Sequence, residues 1–319
     1  MRDGQAVVVL PVGVSGQEID LQLRRWLSRG TVSMQPLEHE MLVEVLSVIE
    51  APIPVEGFAA LRFWGQTGER SNSWMAAADP VHYQVRMRDV RLRLLPADQN
   101  TASDIREIFT SLHTKFDAEG DYSFVRLGTH GYLQIDAPMN LPSVSAAAAD
   151  GHVPDKFTAS GIAAKAYHQL LGELQMFLHD HAVNLRRQEV GLPEINSLWL
   201  WGGGVAPEPK ALSIPDLYSA DALFAGYWAS VNGTSRPWLD FETCLGSSPQ
   251  GFVAVVDEKS TEGLSAYLTA LAGLLKRGKL QRLVVLFRDG LKVELDRVDR
   301  LKVWRGMSPL LTRNIREGS

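Results

Sequence analysis

The sequence predicts an α/β fold: a central core sheet with helices on both faces and a smaller α+β unit inserted into it. Three observations predict this. The chain opens on Ala6-Val-Val-Val-Leu10, a continuous apolar run closed by Pro11 and the glycines Gly13 and Gly16, which is the pattern of a strand buried on both faces of a parallel sheet. The last third alternates in the same way, with Phe252-Val-Ala-Val-Val256, a helical stretch from Glu262 to Lys276, and Leu283-Val-Val-Leu-Phe287. Such alternation of strand and helix marks α/β layering. Between them, from about Gly65 to Asp136, the texture shifts to period-two alternation, the signature of strands with one solvated face.

Taken in order, Ile19, Leu23, Trp26 and Leu27 fall on one helical face, and Gly30 supplies the stop. Leu37, Met41, Leu42, Val45, Leu46 and Ile49 repeat the helical spacing, which Ala51-Pro-Ile-Pro54 ends. Val85 to Leu95 reads as one strand, with Arg91 and Arg93 between Val90, Leu92 and Leu94. Ala102 to Phe116 reads as a helix and Tyr122 to Ile135 as two short strands. Pro142 to Phe157, rich in Ser, Ala, Gly and Asp, reads as a connector. The strongest helix follows, where Tyr167, Leu170, Leu171, Leu174, Phe177 and Leu178 share a face. Asn196 to Trp201 is a strand closed by Gly202, Gly203 and Gly204. The strand–helix–strand unit near the end should be a right-handed crossover between parallel neighbours, and Asp289-Gly290 turns the chain back along Leu291 to Leu295. The core is expected over 1–68 and 140–319, the inserted unit over 69–139.

Bulk properties narrow the function class. The chain has 319 residues, 45% apolar and 22% charged, with a formal net charge of −5. That balance argues against a nucleic-acid or anionic-membrane partner, which usually demands a basic face. Arg24-Arg25 and Arg186-Arg187 are local basic pairs that read more readily as solvated helix faces than as a basic patch. The single cysteine, Cys244, forbids an internal disulfide and reads as a small buried hydrophobe. No basic region leads into an apolar stretch at the N-terminus and no apolar run approaches a bilayer's width, so a cytoplasmic protein is expected. The tryptophans permit a homodimer interface, as they permit ordinary core packing.

Four places could hold chemistry. Leu178-His-Asp-His-Ala-Val-Asn184 invites a metal reading, but on a continuing helix His179 and His181 would lie about 200° apart. His181 continues the apolar face and reads as a core residue. Trp201 runs into Gly202, Gly203 and Gly204, whose N–H groups could cradle an anion. The phosphate-loop pattern is absent, however, and a tight turn explains the glycines as well. Asp79 and His82 in Ala78-Asp-Pro-Val-His82 could bind a ligand or do acid–base work, or could open a turn and start a strand. The eight tryptophans show no stacking-platform spacing.

The segment from His179 through Arg186-Arg187, Leu192-Pro-Glu-Ile-Asn196 and Leu198-Trp-Leu-Trp-Gly-Gly-Gly204 resembles the archaeal-type cofactor-independent phosphoglycerate mutases. More specifically, Ala78-Asp-Pro-Val-His82, Leu174-Gln-Met-Phe-Leu-His-Asp-His181 and Asn196 to Gly204 resemble a bacterial group of phosphoglycerate-mutase-like proteins, some described as regulators of pathogenicity factors. The resemblance implies an alkaline-phosphatase-like core sheet and, in the mutases, two divalent metals flanking a nucleophilic serine. Such a pair stabilises both attacking and leaving oxygens, so losing its carboxylates removes the catalyst. Where the family has Pro-Asp-Gly this chain has Pro11-Val12-Gly13, and where it has a Gly-Ser-Asp nucleophile this chain has Leu37 to Leu46 without serine. Asp257 matches one ligand, but no histidine follows His181 anywhere in the chain. Ala182 replaces the motif proline and should let the helix run on.

The resemblance and its departures together imply a catalytically degenerate protein with a regulatory or phosphometabolite-binding role. No cofactor is expected, because the family's metal ligands are missing. A ligand site would draw on Asp79, His82, His181, Asn184, Arg186, Arg187, Trp201, Gly202, Gly203 and Gly204. Its partner would be a phosphorylated small molecule or a protein. The competing readings are an active phosphomutase-like or phosphatase-like enzyme with a rebuilt site, and a structural partner in a complex.

Overall fold

The computed structural model describes residues 4–11, 19–35, 39–117, 122–158, 164–257, 263–302 and 304–312, the side chain of residue 300 excepted. Val12, Gly13, Gly16 and Leu37, which figured in the sequence reading, lie outside the described residues. The chain divides into two compact units, one built from Met1–Ile53 and Pro209–Ser319 and the other from Pro54–Glu208. The inserted unit is thus larger than the expected 69–139, and the reason is strand pairing. The strand ending in Gly204 pairs with the strand through Asp79, so the helices leading to it belong to the insertion too.

The first leg of the core unit contains β1 (Gln5–Leu10), α1 (Leu21–Leu27), β2 (Thr31–Met34) and α2 (Met41–Val48). Asp20 caps α1 by accepting from the Leu23 amide at 2.8 Å, satisfying one of the unpaired first-turn donors. In the inserted unit come α3 (Phe58–Thr67), β3 (Met75–Val85), β4 (Val90–Arg93), α4 (Gln99–Phe116), β5 (Ser123–Leu127), β6 (His130–Gln134), α5 (Ala146–Ala149), α6 (Lys165–His179), α7 (Ala182–Glu189) and β7 (Ser197–Gly204). The core unit then resumes with β8 (Asp216–Ser219), α8 (Ala222–Ser230), β9 (Ser235–Arg236), α9 (Phe241–Ser247), β10 (Gly251–Val255), α10 (Leu264–Lys276), β11 (Arg282–Phe287) and β12 (Leu291–Asp296).

The core unit's sheet has the order β2-β12-β11-β1-β10-β8-β9. β11, β1, β10, β8 and β9 run parallel, while β12 and β2 add antiparallel at one edge. β10 and β11 are parallel as expected but are not neighbours, because β1 lies between them. Every residue of β1 is buried. Ala6, Val8 and Leu10 pack with Leu23 and Leu27 of α1, Phe241 and Cys244 of α9, and Leu268, Leu271 and Leu275 of α10. Val7 and Val9 are fully buried on the opposite face. This explains the unbroken apolar run, since a strand covered on both sides has no solvated position.

In the inserted unit the sheet order is β4-β3-β6-β5, with β7 also paired to β3. Val85 to Leu95 is not one strand. It is a hairpin, β3 turning into β4 where the Arg86 amide donates to Asp89 O at 2.8 Å. β3 also carries Pro80 in its interior. Proline lacks an N–H and is tolerated only where no ladder bond is needed. That holds here, because pairing to β6 stops at Ala77 and pairing to β4 starts at His82. Ala78-Asp79-Pro80 is therefore extended strand and not a turn opener. The core of this unit joins Ile105, Phe109 and Leu112 of α4 and Leu170, Leu174 and Leu178 of α6 to Leu198 and Leu200 of β7.

Candidate functional site

Within the inserted unit, α3, β3, β6 and β7 converge on one buried charge cluster. Arg62 interrupts the apolar helix Phe58-Ala-Ala-Leu-Arg-Phe-Trp64 and lies only 6% exposed. Its Nη1 donates to Asp79 Oδ2 at 2.8 Å, its Nη2 to Gly131 O at 3.0 Å and its Nε to Tyr132 Oη at 3.1 Å. The guanidinium also faces two rings, 4.8 Å from the Tyr132 centroid and 5.2 Å from that of Trp201, a favourable place for a desolvated cation. Burial works against the Arg62 charge, but Asp79 and Tyr132 outweigh it and the net shift of its pKa is upward. Trp201 Nε1 donates to the same Asp79 Oδ2 at 2.7 Å.

Asp79 Oδ1 is buried without a hydrogen-bond partner. A carboxylate oxygen left so is costly and can accept from an incoming donor. From Tyr132 the network continues outward, its hydroxyl donating to Gln66 Oε1 at 2.5 Å and Gln66 Nε2 meeting His130 Nδ1 at 3.0 Å. Burial pushes the Tyr132 phenol upward. Neither Arg62 nor Tyr132 belonged to the sequence-derived site. The available signal was the lone arginine inside an apolar helical run, since such a side chain is almost never buried unless paired.

The three glycines are not a tight turn, since all three lie in β7. The Gly202 amide donates to Pro142 O at 2.8 Å, and Gly203 O accepts from the Gly57 amide at 3.0 Å. A Cβ on Gly204 would fall 2.3 Å from Gly57 N, and one on Gly203 2.5 Å from the Trp74 ring. The glycines let the start of α3 press onto β7, which sets Arg62 over Asp79 and Trp201.

The remaining sequence-derived residues form a separate group. His181 does not continue the helix: α6 ends at His179, and His181 is the N-cap of α7, its Nδ1 accepting from the Val183 amide at 3.2 Å. Desolvation lowers its pKa, with Glu107 opposing and Arg186 adding to the effect. Asn184 is fully buried and ties segments together, donating to Leu178 O (2.7 Å) and Ile195 O (3.0 Å) and accepting from the Ile195 amide (2.8 Å). Arg187 is buried on Asp104 Oδ2 (2.7 Å) and Pro193 O (2.6 Å). Arg186 is held on both Glu107 oxygens, at 3.2 and 2.7 Å. His82 Nδ1 contacts the Glu194 carbonyl at 2.9 Å. Asp79 and Trp201 are therefore brought together, while His82, His181, Asn184, Arg186 and Arg187 are engaged within the unit.

In the core unit the strand ends at which open α/β sheets bind ligands are Leu10, Ser219, Val255 and Phe287. The acids there already have structural tasks. Asp221 Oδ1 caps α8 by accepting from the Leu223 and Phe224 amides at 2.9 and 3.4 Å, and Asp289 Oδ1 accepts from the Leu291 amide in the hairpin turn. Asp257 is engaged as well. Arg288 adds a cation to this edge, Nη2 lying 3.8 Å from Asp221 Oδ2. Of the eight histidines, seven fall in Pro54–Glu208, and only His39 belongs to the core unit. Among the described residues no group of three or more His, Cys, Asp or Glu converges as a metal site. These residues do not fit a two-metal centre.

The chain is similar to a cofactor-independent phosphoglycerate mutase. It is 31% identical over 87 residues to the 2,3-bisphosphoglycerate-independent phosphoglycerate mutase of Methanosarcina mazei, a match covering 24% of this chain and 22% of that protein. The chain thus spans about a fifth of that relative's length. Two solved structures are similar over most of their length. One is a cofactor-independent phosphoglycerate mutase from Thermoplasma acidophilum (TM-score 0.39, 15% identity, 93% of this chain and 90% of that one). The other is the PH0037 protein from Pyrococcus horikoshii (TM-score 0.45, 13% identity, 92% and 87%). No protein-family model matches the chain. Among the described residues no helix is long and apolar enough to cross a membrane.

Proposed function

We propose that this chain is a divergent phosphoglycerate-mutase-like protein with an alkaline-phosphatase-like core that acts by binding, in a regulatory or phosphometabolite-sensing role, and not by two-metal phosphoryl transfer. The observation that carries this reading is the ligand supply of the core unit, which holds one histidine, His39, and uses Asp221 and Asp289 in a cap and a turn. Two-metal phosphoryl transfer needs several anionic or imidazole ligands directed at one point. The relative's name suggests a phosphorylated three-carbon acid as the ligand class. Arg288, beside Asp221 at the carboxyl edge of the core sheet, is the guanidinium chosen to test this reading. Guanidinium–phosphate pairing is geometrically matched.

The test is calorimetric titration and thermal shift with 3-phosphoglycerate, with and without manganese, alongside metal analysis of natively purified protein. Saturable binding without manganese, lost in Arg288→Ala, supports the reading. Stoichiometric bound metal, or turnover that requires manganese, overturns it. A second reading, an enzyme with a rebuilt site, is favoured by the buried Asp79 oxygen that has no donor. It requires turnover of a phosphate ester that disappears in a folded Asp79→Asn variant.

A further inference from the structure

A separate cavity of about 470 Å³ lies in the core unit, lined by Ile49, Ser213 to Asp216 and Ser247 to Gly251. It sits at the amino ends of β8 and β10, on the sheet edge opposite the one discussed above. Its volume falls within the roughly 300–1,000 Å³ typical of small-molecule sites.

Two lining residues, Asp216 and Ser248, belong to a closed ring of hydrogen bonds with Arg236 and Tyr218, which lie outside the lining. Arg236 Nη1 donates to Asp216 Oδ2 at 2.8 Å and to Tyr218 Oη at 2.9 Å. Ser248 Oγ donates to Asp216 Oδ2 at 2.6 Å and lies 2.8 Å from Tyr218 Oη. A serine hydroxyl has one proton. Because that proton goes to Asp216, the Tyr218 proton must go to Ser248, and every direction in the ring is fixed. Both donors to Asp216 land on Oδ2. The carboxylate is thereby held in place through Oδ2, and Oδ1 takes no part in the ring.

The rest of the lining selects the ligand. Asp216 is the only charged residue in the lining itself, and the neighbouring cation, Arg236, is bound to its Oδ2 and to Tyr218 Oη. No aromatic side chain lines the space, so a flat base or sugar face finds no stacking surface. Ile49, Ile214, Pro215 and Pro249 supply aliphatic walls, and Ser213, Ser247 and Gln250 add further oxygen acceptors to the lining. An ammonium group carries three donors and no acceptor, which suits one carboxylate oxygen flanked by such groups. A methylene stem suits the walls.

We infer that this cavity binds a small alkylammonium ligand, a diamine or primary amine of amino-acid size, anchored on Asp216. The inference is independent of the phosphometabolite reading, which concerns the other sheet edge. The same chemistry is presented by a lysine side chain, so the experiment separates the two sources.

The full chain is titrated calorimetrically with 1,4-diaminobutane, with 1,4-butanediol as the uncharged counterpart, inorganic phosphate as the anion and N-acetyl-lysine amide as the lysine surrogate. Saturable diamine binding is expected, with none for the diol or phosphate. Asp216→Asn should weaken it at least tenfold. Arg236→Gln removes the competing cation while leaving Ser248 on Oδ2, and should tighten it. The two variants are thus expected to move in opposite directions, and the second carries the test should the first not fold. Stronger binding of N-acetyl-lysine amide than of the diamine would support the anchor and identify a protein side chain as the source. Absence of diamine binding at millimolar concentration, unchanged affinity in a folded Asp216→Asn protein, or weaker binding in Arg236→Gln would each overturn the proposal.

Discussion

Replacing Arg62 by methionine isolates what the buried cluster contributes. The side chains of Arg62 and Asp79 are 8% and 13% exposed, so solvent screening is weak. The variant removes the partner of Asp79 Oδ2 at 2.8 Å and leaves Gly131 O and Tyr132 Oη short of a donor. Breaking one side of a buried ion pair costs about 3–5 kcal/mol, because the remaining charge stays buried. At about 2–4 °C per kcal/mol for a unit of this size, the melting temperature should fall by about 6–20 °C.

Thermal and urea unfolding of the variant would read this directly. The double variant Arg62→Met/Asp79→Leu should recover most of the loss, since a well-packed apolar pair can replace an ion pair. A single-variant loss below about 1 kcal/mol, or a double variant no better than the single, would refute the reasoning.

Five further outcomes are expected. Gly204→Ala should destabilise by at least about 1–3 kcal/mol, because its Cβ would meet Gly57 N at 2.3 Å at a φ of 143°. Gly172→Ala in α6 meets nothing within 4 Å and should stabilise by about 0.5–1 kcal/mol; thermal unfolding compares the two. Asn184→Leu should cost about 3 kcal/mol in urea unfolding, as the buried Ile195 amide and two carbonyls lose their partner. His181 has a folded pKa below its ordinary value, so its stabilising contribution is present above the unfolded pKa and lost as pH falls through the folded one. His181→Asn, which keeps an acceptor at the cap, should flatten that part of the stability–pH profile. Burial pushes the Cys244 thiol up to about 12, so it should resist a thiol reagent until the protein unfolds.

The core strands were legible because complete burial leaves an unbroken apolar signature, as in Ala6 to Leu10 and Leu283 to Phe287. The β11–β12 hairpin was legible from Asp289-Gly290, and Gly290 takes the left-handed conformation the turn requires. Strand order was not. Nothing local to β1 states that two strands from the far end of the chain will flank it. Asp79 and Trp201 were each legible as candidates, in separate motifs, but the arginine joining them lies on α3, whose apolar sequence was not read as an element. The glycine run misled for a physical reason. Glycine serves tight turns and close backbone approach alike, and only the tertiary partner, Gly57, distinguishes them. His181 misled because replacing a motif proline by Ala182 removes one helix stop without supplying a reason to continue, and the capping geometry ends α6 at the same place.

The position of β1 between β10 and β11 bears on how the protein is made. As the ribosome releases the chain, β1 emerges long before either of its hydrogen-bonding neighbours. Its five apolar residues from Ala6 to Leu10 must wait through synthesis of the whole of Pro54–Glu208, a contiguous stretch able to collapse as soon as it is complete. Pairings of such long sequence separation form slowly, so β1 is a stretch in need of a chaperone while its partners are made. Yield in the cell should therefore respond to changes in β1 that leave the stability of the finished protein almost untouched.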